Sequence, residues 1–163
     1  MNKAIQTALN EQIAAEFSAA YLYLAMSAHF VEQNFNGFAR WMRAQSEEEA
    51  QHAMRIYGYL LERGGHVELG AVTPPPKKFG SPLEIFRAAL DHEREVTKSI
   101  HDIYELARSK KDYATEIELQ WFVTEQVQEE SSAELTVEQL TRAGDDVSAL
   151  LLLDHQFGRR DGD

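Results

Sequence analysis

Four long stretches of this chain repeat apolar residues at alternating spacings of three and four, and this pattern restricts the fold more than any other feature. The spacing places these residues on one face of an α-helix, the face through which helices pack in a bundle. It predicts long helices over residues 2–31, 37–63, 82–109 and 113–142, and a short fifth helix over about residues 146–157. The fifth helix contains four consecutive leucines and is apolar on every side, so we expect it to be buried in the bundle or against other subunits.

The connections between these helices determine their arrangement. Short links at residues 32–37 and 109–112 make helices one and two, and helices three and four, antiparallel neighbours. The glycine- and proline-rich stretch 64–80 is longer: about 17 extended residues reach roughly 56 Å, whereas a helix of about 26 residues is roughly 39 Å long. This stretch is able to return along the whole bundle and leave helices two and three parallel. The sequence therefore predicts one all-α domain over residues 1–163, a four-helix bundle at 2–142 with one long crossover and a short C-terminal helix.

The composition excludes several classes of partner and site. A formal net charge of −11 disfavours nucleic acid and anionic membranes as partners and suits cations. Because the chain has no cysteine, disulfides and thiolate metal sites are excluded. No apolar stretch approaches the length of a membrane span, and the N-terminus lacks the apolar run of a signal peptide, so we expect a soluble cytoplasmic protein.

Carboxylates interrupt the apolar faces near the middle of the long helices. The predicted inward faces carry Glu16 on the first helix, Glu49 and His52 on the second, Glu93 on the third, and Gln126 and Glu129 on the fourth. Glu49 belongs to the segment SEEEAQHA, in which Glu48 lies about 100° around the helix, at the margin, and Glu47 faces solvent. Two like charges about 4 Å apart repel by ~4 kcal/mol at an effective dielectric constant of about 20, so four converging carboxylates need compensation. Two divalent cations would balance their charge.

The donor types restrict which cations fit. Glu49 and His52 are three residues apart, so both side chains lie on one helical face and are able to grip one ion, while the second oxygen of Glu49 is able to bridge to another. Oxygen-dominated sites with an imidazole suit iron or manganese. Simpler interpretations remain open at this point: Glu49 and His52 as a buried ion pair, Gln126 as a core amide hydrogen-bonded to Glu129, and Tyr23 as a core aromatic residue.

Together these motifs resemble those of the prokaryotic non-haem ferritins, members of the ferritin-like di-iron family, over essentially the whole chain. The matching motifs are NEQIAAEFSAAYLYL around Glu16, EEEAQHAMRIYGYLLERGG with Glu49 and His52, LDHEREVTKSI with Glu93, and WFVTEQVQEE at residues 121–130. Members of this family share an inward pattern of glutamates with a Glu-x-x-His pair. The resemblance implies a ferritin-like four-helix bundle that acts as a ferroxidase. It implies oxidation of Fe(II) by O2 or H2O2 and storage of ferric oxide inside a hollow cage of twenty-four subunits, for iron storage and detoxification.

The resemblance also implies roles for individual residues. Glu16, Glu49 and His52 are expected to hold one iron. Glu49, as a bridge, is expected to hold the second iron together with Glu93 and Glu129. Two iron ions per subunit are therefore implied, and all the protein ligands come from the interior of one bundle.

Further residues are implied around this pair. Gln126 is expected in or just outside the coordination of the second iron, and Tyr23 beside the irons, where it is able to donate an electron or to orient a ligand. A third iron site is implied on the cavity side. Its matching positions are Glu48, Glu125 and Glu129, although Gln128 stands where the family often has another glutamate.

Departures from related families narrow the prediction. Ser132 replaces the histidine of a second Glu-x-x-His motif, and Ala50 replaces the haem-binding methionine of bacterioferritins, so no haem is expected. A non-storage di-iron enzyme of rubrerythrin type is the first alternative, disfavoured by the absence of that second motif and of cysteine. A DNA-protecting bundle is the second alternative, but the N-terminus offers only Lys3 as a basic arm. His92 is expected to face outward.

Overall fold

The computed structural model describes residues 1–159, and the last four residues of the predicted domain, 160–163, lie outside that part of the chain. Within it the helices are α1 (Lys3–Glu32), α2 (Asn36–Glu62), α3 (Pro82–Ser109), α4 (Tyr113–Ala143) and α5 (Val147–Phe157). Each predicted helix is confirmed to within one residue at either end. Residues 1–159 contain no strand, so the all-α prediction is confirmed. None of the helices in this range is long and apolar enough to cross a membrane.

Local capping fixes where most of these helices begin. Asn2 and Asp146 each accept a hydrogen bond from a backbone N–H in the first turn of α1 and α5, at 2.9 and 3.0 Å. Ser81 and Glu84 form a complete capping box at the start of α3, followed by a proline in the first turn. These signals act within one helical turn, and so the sequence alone was able to locate the helix ends.

The crossover runs back along α1 and is held there by side-chain hydrogen bonds. Gln6 accepts a hydrogen bond from the His66 N–H at 2.9 Å, and the Asn10 amide donates to the His66 carbonyl at 3.0 Å. Farther along, Ser18 accepts from the Thr73 N–H at 2.9 Å. Residue numbers rise together on α1 and on the crossover, so the crossover returns to the end of the bundle where α2 began. The predicted long crossover, with α2 and α3 parallel, is therefore confirmed.

The apolar core consists of two clusters, one toward each end of the bundle. On α1, Leu9 belongs to the first cluster and Phe30 to the second, and Glu16 lies between them. On α3, Val96 belongs to the first cluster and Phe86 to the second. All four long helices contribute to both clusters, so the polar residues midway along them meet in one layer between two dry regions. The fold thereby defines the position of the candidate site.

The fifth helix docks by one edge on α2 and α4. Phe157 is buried against Phe38, with ring centroids 5.3 Å apart. Asp154 accepts a hydrogen bond from the Phe38 N–H at 2.8 Å and so caps α2, which has no side-chain cap of its own. Leu151 and Leu152 on the opposite side remain 52% and 60% exposed in the single subunit. The expected burial of this helix is therefore met on one side only.

Replacing Asp112 by alanine is expected to lower the free energy of unfolding by about 2 kcal/mol, because this residue stabilises α4 in two ways. Its carboxylate accepts a hydrogen bond from the Thr115 N–H at 3.2 Å, and it pairs at 3.0 Å with Arg63, the residue that follows α2. Denaturant unfolding measures the change. The matched substitution Asp145→Ala, at an exposed residue just before α5, is expected to change the same quantity by less than about 0.5 kcal/mol. Equal losses in the two variants would contradict the assigned role.

Candidate metal centre

The helices carry the predicted site residues into one layer of the bundle interior. Buried in this layer are Glu16, Glu49, His52, Glu93 and Gln126, none of them more than 6% exposed. Glu129 is half-buried at the edge of the layer. These side chains face inward, where the periodicity placed them, and their role as iron ligands remains a prediction.

Glu16, Glu49 and His52 form the most compact group in this layer. One potential ligand atom from each side chain lies within 4.8 Å of the other two, and no other three acidic, histidine or cysteine side chains among residues 1–159 come as close. The Nδ1 of His52 lies 3.4 Å from Oε2 of Glu49. One oxygen each of Glu16 and Glu49 is buried and has no hydrogen-bond partner. Buried carboxylate oxygens without donors are unfavourable, and a cation bound between them would satisfy both.

The electrostatics of this layer favour protonated acids in the absence of a cation. Burial, and then the charge of Glu93, raise the pKa of Glu49 from 4.5 to about 8. Burial and the charges of Glu93 and Glu48 raise the pKa of Glu129 to about 7. Burial and the adjacent Glu49 hold the pKa of Glu16 well above its ordinary value. Several acids perturbed by the same neighbours are typical of a functional site.

Neutral donors hold Glu93 and Glu129, which the resemblance assigns to the second iron together with Glu49. The Tyr23 hydroxyl donates to Oε1 of Glu93, and the Gln126 amide donates to Oε2 of the same residue at 3.2 Å. The Gln45 amide donates to Oε2 of Glu129 at 2.9 Å. The interpretation of Gln126 as hydrogen-bonded to Glu129 is therefore wrong. Its amide also donates to the Glu93 backbone carbonyl at 3.2 Å, so both of these acceptors lie on α3.

His92 does not face outward as predicted. It is half-buried, with its ring edge-on to that of Tyr23 at a centroid distance of 6.2 Å, and its Nε2 is buried without a hydrogen-bond partner. Residue 92 lies about 100° around α3 from Glu93, and α1 packs along α3. The histidine therefore fills the space behind Tyr23 instead of entering solvent.

A cavity of about 370 Å³ opens between α2 and α4 beside the group. Its lining residues are Glu48, Gln51, His52, Arg55, Trp121, Glu125 and Glu129. Trp121 lies edge-on to His52 with ring centroids 5.4 Å apart, and the Arg55 guanidinium lies 4.1 Å from the Trp121 ring centre. A larger groove of about 750 Å³ lies between α1, α3 and the crossover, but its lining includes none of the grouped residues. The smaller cavity is therefore the one that reaches the site.

The residues predicted for a third iron site share this smaller cavity. Glu48, Glu125 and Glu129 all line it. Gln128 lines a neighbouring cavity of about 250 Å³ together with Glu48 and Glu129. The three carboxylates thus stand around one opening, and binding of an ion there remains a prediction.

Three residues of this region received no role from the sequence. Gln45 precedes Glu49 by four residues on α2, and Gln12 precedes Glu16 by four residues on α1, so helical spacing was the available signal for both. Arg55 pairs with Glu118 of α4. Nothing in the order of the residues indicates that pairing, because the two positions meet only through packing.

The metal-free protein is expected to lose stability as the pH rises from about 5 to about 8.5. In the unfolded chain Glu49 and Glu129 release their protons near the ordinary value of 4.5, whereas in the folded chain they keep them up to about 8 and about 7. The unfolded state therefore binds fewer protons across this window, and the free energy of unfolding falls as pH rises. The Tm of chelator-treated protein, measured as a function of pH, tests this.

Asp112 should not contribute to the change in Tm over this pH range, and a bound cation should reduce that change. Despite its burial, Asp112 has a pKa below its ordinary value of 3.8, because hydrogen bonds from Thr115 and Arg63 favour its charged form. Its stabilisation is therefore lost only as the pH falls through and below that value, outside the measured window. Saturation with a divalent cation should reduce the dependence of the Tm on pH, since the cation replaces the protons on Glu49 and Glu129. A Tm that stays constant or rises in the metal-free protein would contradict the prediction.

Comparison with known proteins places this geometry in a family. The model of the ferritin-like domain matches residues 6–143. The bacterial non-heme ferritin of Staphylococcus aureus (strain USA300) is 42% identical over 160 residues, 98% of this chain and 96% of that protein. That of Bacteroides fragilis (strain 638R) is 40% identical over 160 residues, 98% of this chain and 99% of that protein.

Solved structures agree with these sequence matches. An open pore ferritin from the hyperthermophilic archaeon Archaeoglobus fulgidus has a TM-score of 0.97 and 46% identity, covering 98% of this chain and 99% of that chain. An engineered closed form of that ferritin has a TM-score of 0.96 at the same identity, covering 98% of each chain. With its bundle, its long crossover and its central layer of glutamates, this chain belongs to the ferritin family.

Proposed function

We propose that this protein oxidises Fe(II) at a paired site inside each subunit and stores the ferric product as oxide mineral within a hollow assembly of its own copies. Iron is thus the substrate and then the cargo. Glu16, Glu49 and His52 hold the first ferrous ion. Glu49 bridges to a second ion, which Glu93 and Glu129 also bind.

One observation carries this proposal: Glu16, Glu49 and His52 meet in the dry layer between two apolar clusters, with two carboxylate oxygens that lack donors. A buried charged group is often replaceable by an apolar one without loss of stability. A bundle selected for stability alone would fill this layer with aliphatic side chains. Binding of divalent cations in this layer would explain why acids and a histidine occupy it.

The chemistry of the ligands suits oxidation of iron. Carboxylates are hard donors that favour ferric over ferrous iron, and one imidazole keeps the set selective for a transition metal. Two ferrous ions each give up one electron, and O2 takes both electrons with two protons to form H2O2. With H2O2 as oxidant, the same two electrons and two protons yield two water molecules. Paired sites allow the oxidant to take both electrons in one place, without release of superoxide.

Tyr23 and Gln126 complete the second position. Both donate to Glu93, so they orient this ligand toward the ion that Glu49 bridges. The Tyr23 ring also lies against Trp41, at a centroid distance of 6.4 Å, within the aromatic cluster. This environment suits a residue that supplies an electron without leaving its place.

The cavity between α2 and α4 provides the route between the paired site and the space that holds the mineral. Glu48, Glu125 and Glu129 line this cavity and form a third position for iron. Gln128, in the neighbouring cavity, contributes an amide where a carboxylate would add charge. The third position therefore binds iron more weakly than the paired site and passes it on.

Exposed apolar residues support an assembly of copies. They include Tyr21, Leu24 and Val31 on α1, Met54 and Leu61 on α2, Tyr113, Ile117, Val127 and Leu135 on α4, and Val147, Leu151 and Leu152 on α5. Several apolar residues on each face are typical of subunit interfaces. A solved relative is described as an open pore ferritin, and a pore of that kind belongs to an assembly. The assembly proposed for this chain has twenty-four subunits.

Aerobic addition of Fe(II) to metal-free protein tests the proposal. We expect ferric absorbance to rise much faster than in buffer and the mineral to remain with a large native particle in size-exclusion chromatography. A monomeric protein that oxidises iron no faster than buffer would overturn it. Turnover that depends on H2O2 and leaves no mineral would instead favour a non-storage di-iron enzyme.

A further inference from the structure

Gln12 occupies a buried position one helical turn before Glu16, where an amide needs partners for both of its polar atoms. Its side chain is 1% exposed. Ser99 of α3 donates a hydrogen bond to Oε1 of Gln12, and Nε2 of Gln12 donates to Oε1 of Glu16 at 2.8 Å. A continuous chain of hydrogen bonds therefore runs from α3 through Gln12 to the candidate metal centre.

The partners fix which way the amide points. When Glu16 binds a cation it is ionised and only accepts hydrogen bonds, so the NH2 group of Gln12 faces Glu16 in that state. The amide oxygen then faces Ser99, whose hydroxyl is able to donate. As a result Oε1 of Glu16 is occupied, while Oε2 of Glu16 is buried and has no partner.

We propose that Gln12 is a positioning residue for the iron site, holding Oε1 of Glu16 so that Oε2, which has no hydrogen-bond partner, is the oxygen turned toward the ion. The inference rests on the proposed function, because it concerns the same site. A ligand that binds through one oxygen leaves a coordination position open for the oxidant, whereas a chelating carboxylate would fill it. The amide is neutral, so it orients the carboxylate without competing with the cation for its charge.

The hydrogen bonds of Glu16 differ from those of the other buried glutamates, Glu93 and Glu49. Both oxygens of Glu93 accept hydrogen bonds, one from Tyr23 and one from Gln126, and each keeps a second lone pair that is able to bind an ion. Oε2 of Glu49 has no donor, in keeping with its proposed role as a bridge. Glu16 alone among the three has one oxygen held by an amide and one left without a partner. This asymmetry suits a ligand that binds one ion through one oxygen.

The substitution Gln12→Leu tests the inference, because leucine is similar in size and removes both hydrogen bonds. Co2+ serves as the probe, since its visible absorption bands report the number and geometry of its ligands and its binding is measured without iron oxidation. We expect the affinity for Co2+ to fall by about ten- to a hundredfold and the bands to change. The matched control, Gln120→Leu at an exposed position on α4, should leave both readouts as in the wild type.

A second variant, Ser99→Ala, decides the matter if Gln12→Leu does not assemble. It releases only the far end of the amide, so we expect changes of the same kind and smaller size. Wild-type Co2+ affinity and unchanged bands in the assembled variants would overturn the positioning role, even where the wild type oxidises iron rapidly. Altered Co2+ binding in these variants, together with a wild type that does not oxidise iron, would support the positioning role and overturn the proposed function instead.

Discussion

Replacing Glu49 by glutamine is expected to slow the initial aerobic oxidation of Fe(II) by about a hundredfold or more and, at the same time, to raise the Tm of the metal-free protein. Glu49 is the one side chain proposed to contact both ions, and an amide can neither carry the charge nor bridge. Loss of residues that merely support metal ligands typically lowers activity by about ten- to a hundredfold, so loss of a bridging ligand should be at the upper end or beyond. Stability should rise because glutamine is the same size and removes a buried acid that Glu93 and Glu129 repel.

The control for this variant lies two residues away on the same helix. Glu47 is exposed and pairs with Arg43 at 3.3 Å on the surface of α2, so Glu47→Gln should alter neither the oxidation rate nor the Tm appreciably. Opposite changes in activity and stability in one variant are difficult to obtain from a folding defect. A Glu49→Gln protein that oxidises iron at the wild-type rate would remove this residue from the site.

Replacing Gly37 by alanine is expected to displace α5 from the bundle or to lower the free energy of unfolding by about 3 kcal/mol. A Cβ atom on Gly37 would lie 1.6 Å from the Asp154 carbonyl oxygen and 2.6 Å from its carbonyl carbon. Backbone atoms cannot rotate away as a side chain does, so α5 itself has to move. That movement breaks the hydrogen bond between Asp154 and the Phe38 N–H and withdraws Phe157 from the aromatic cluster. Denaturant unfolding, limited proteolysis of the C-terminal segment and native particle size measure these effects.

Gly58, on the same helix, supplies a control in which the free energy of unfolding should change in the opposite direction. Apart from its two chain neighbours and the nearby backbone of its own helix, no heavy atom lies within 4 Å of a Cβ built there. Gly58→Ala should therefore raise the free energy of unfolding by up to about 1 kcal/mol, the ordinary gain for this exchange in a helix. If both variants were stabilised, the tight approach of α5 to α2 would not exist in the folded protein.

The Glu49→Gln and Gly37→Ala variants test different parts of the fold. Glu49 lies in the layer where burial is unfavourable without a cation, whereas Gly37 lies where α5 joins the end of the bundle. Asp154 caps α2, and α2 carries both Glu49 and His52, so docking of α5 stabilises the helix that presents these two side chains. Gly37 lies at the start of α2, about three turns before Glu49, so a loss of α5 should weaken assembly more than it changes the group formed by Glu49 and His52.

Predictions that depend on one helix at a time succeeded. The inward face predicted for α1 runs from Leu9 through Glu16 and Tyr23 to Phe30, and every one of these residues is buried. Asp112 and Ser81 lie directly before the predicted starts of α4 and α3, and both cap those helices. Such signals succeed because spacing and capping involve residues within one or two helical turns.

Predictions that depend on contacts between helices were less reliable. One open interpretation made Gln126 a core amide bound to Glu129 on its own helix, but its amide donates to Glu93 of α3. His92 was expected in solvent, but it packs against Tyr23 of α1. In both cases the side chain contacts a neighbouring helix. Whether such a contact forms depends on how closely the two helices approach.

The sequence by itself therefore determined the five helices, the single crossover and the inward direction of Glu16, Glu49, His52 and Glu93. Only the tertiary structure decided which oxygens of these carboxylates are occupied and which are left without a donor. It also decided that α5 lies against Gly37. The physical reason is distance along the chain: Gln12 and Ser99 are 87 residues apart, and Phe38 and Asp154 are 116 residues apart. Periodicity within a helix says which way a side chain points, but a hydrogen bond between such positions forms only once packing fixes the space between the helices.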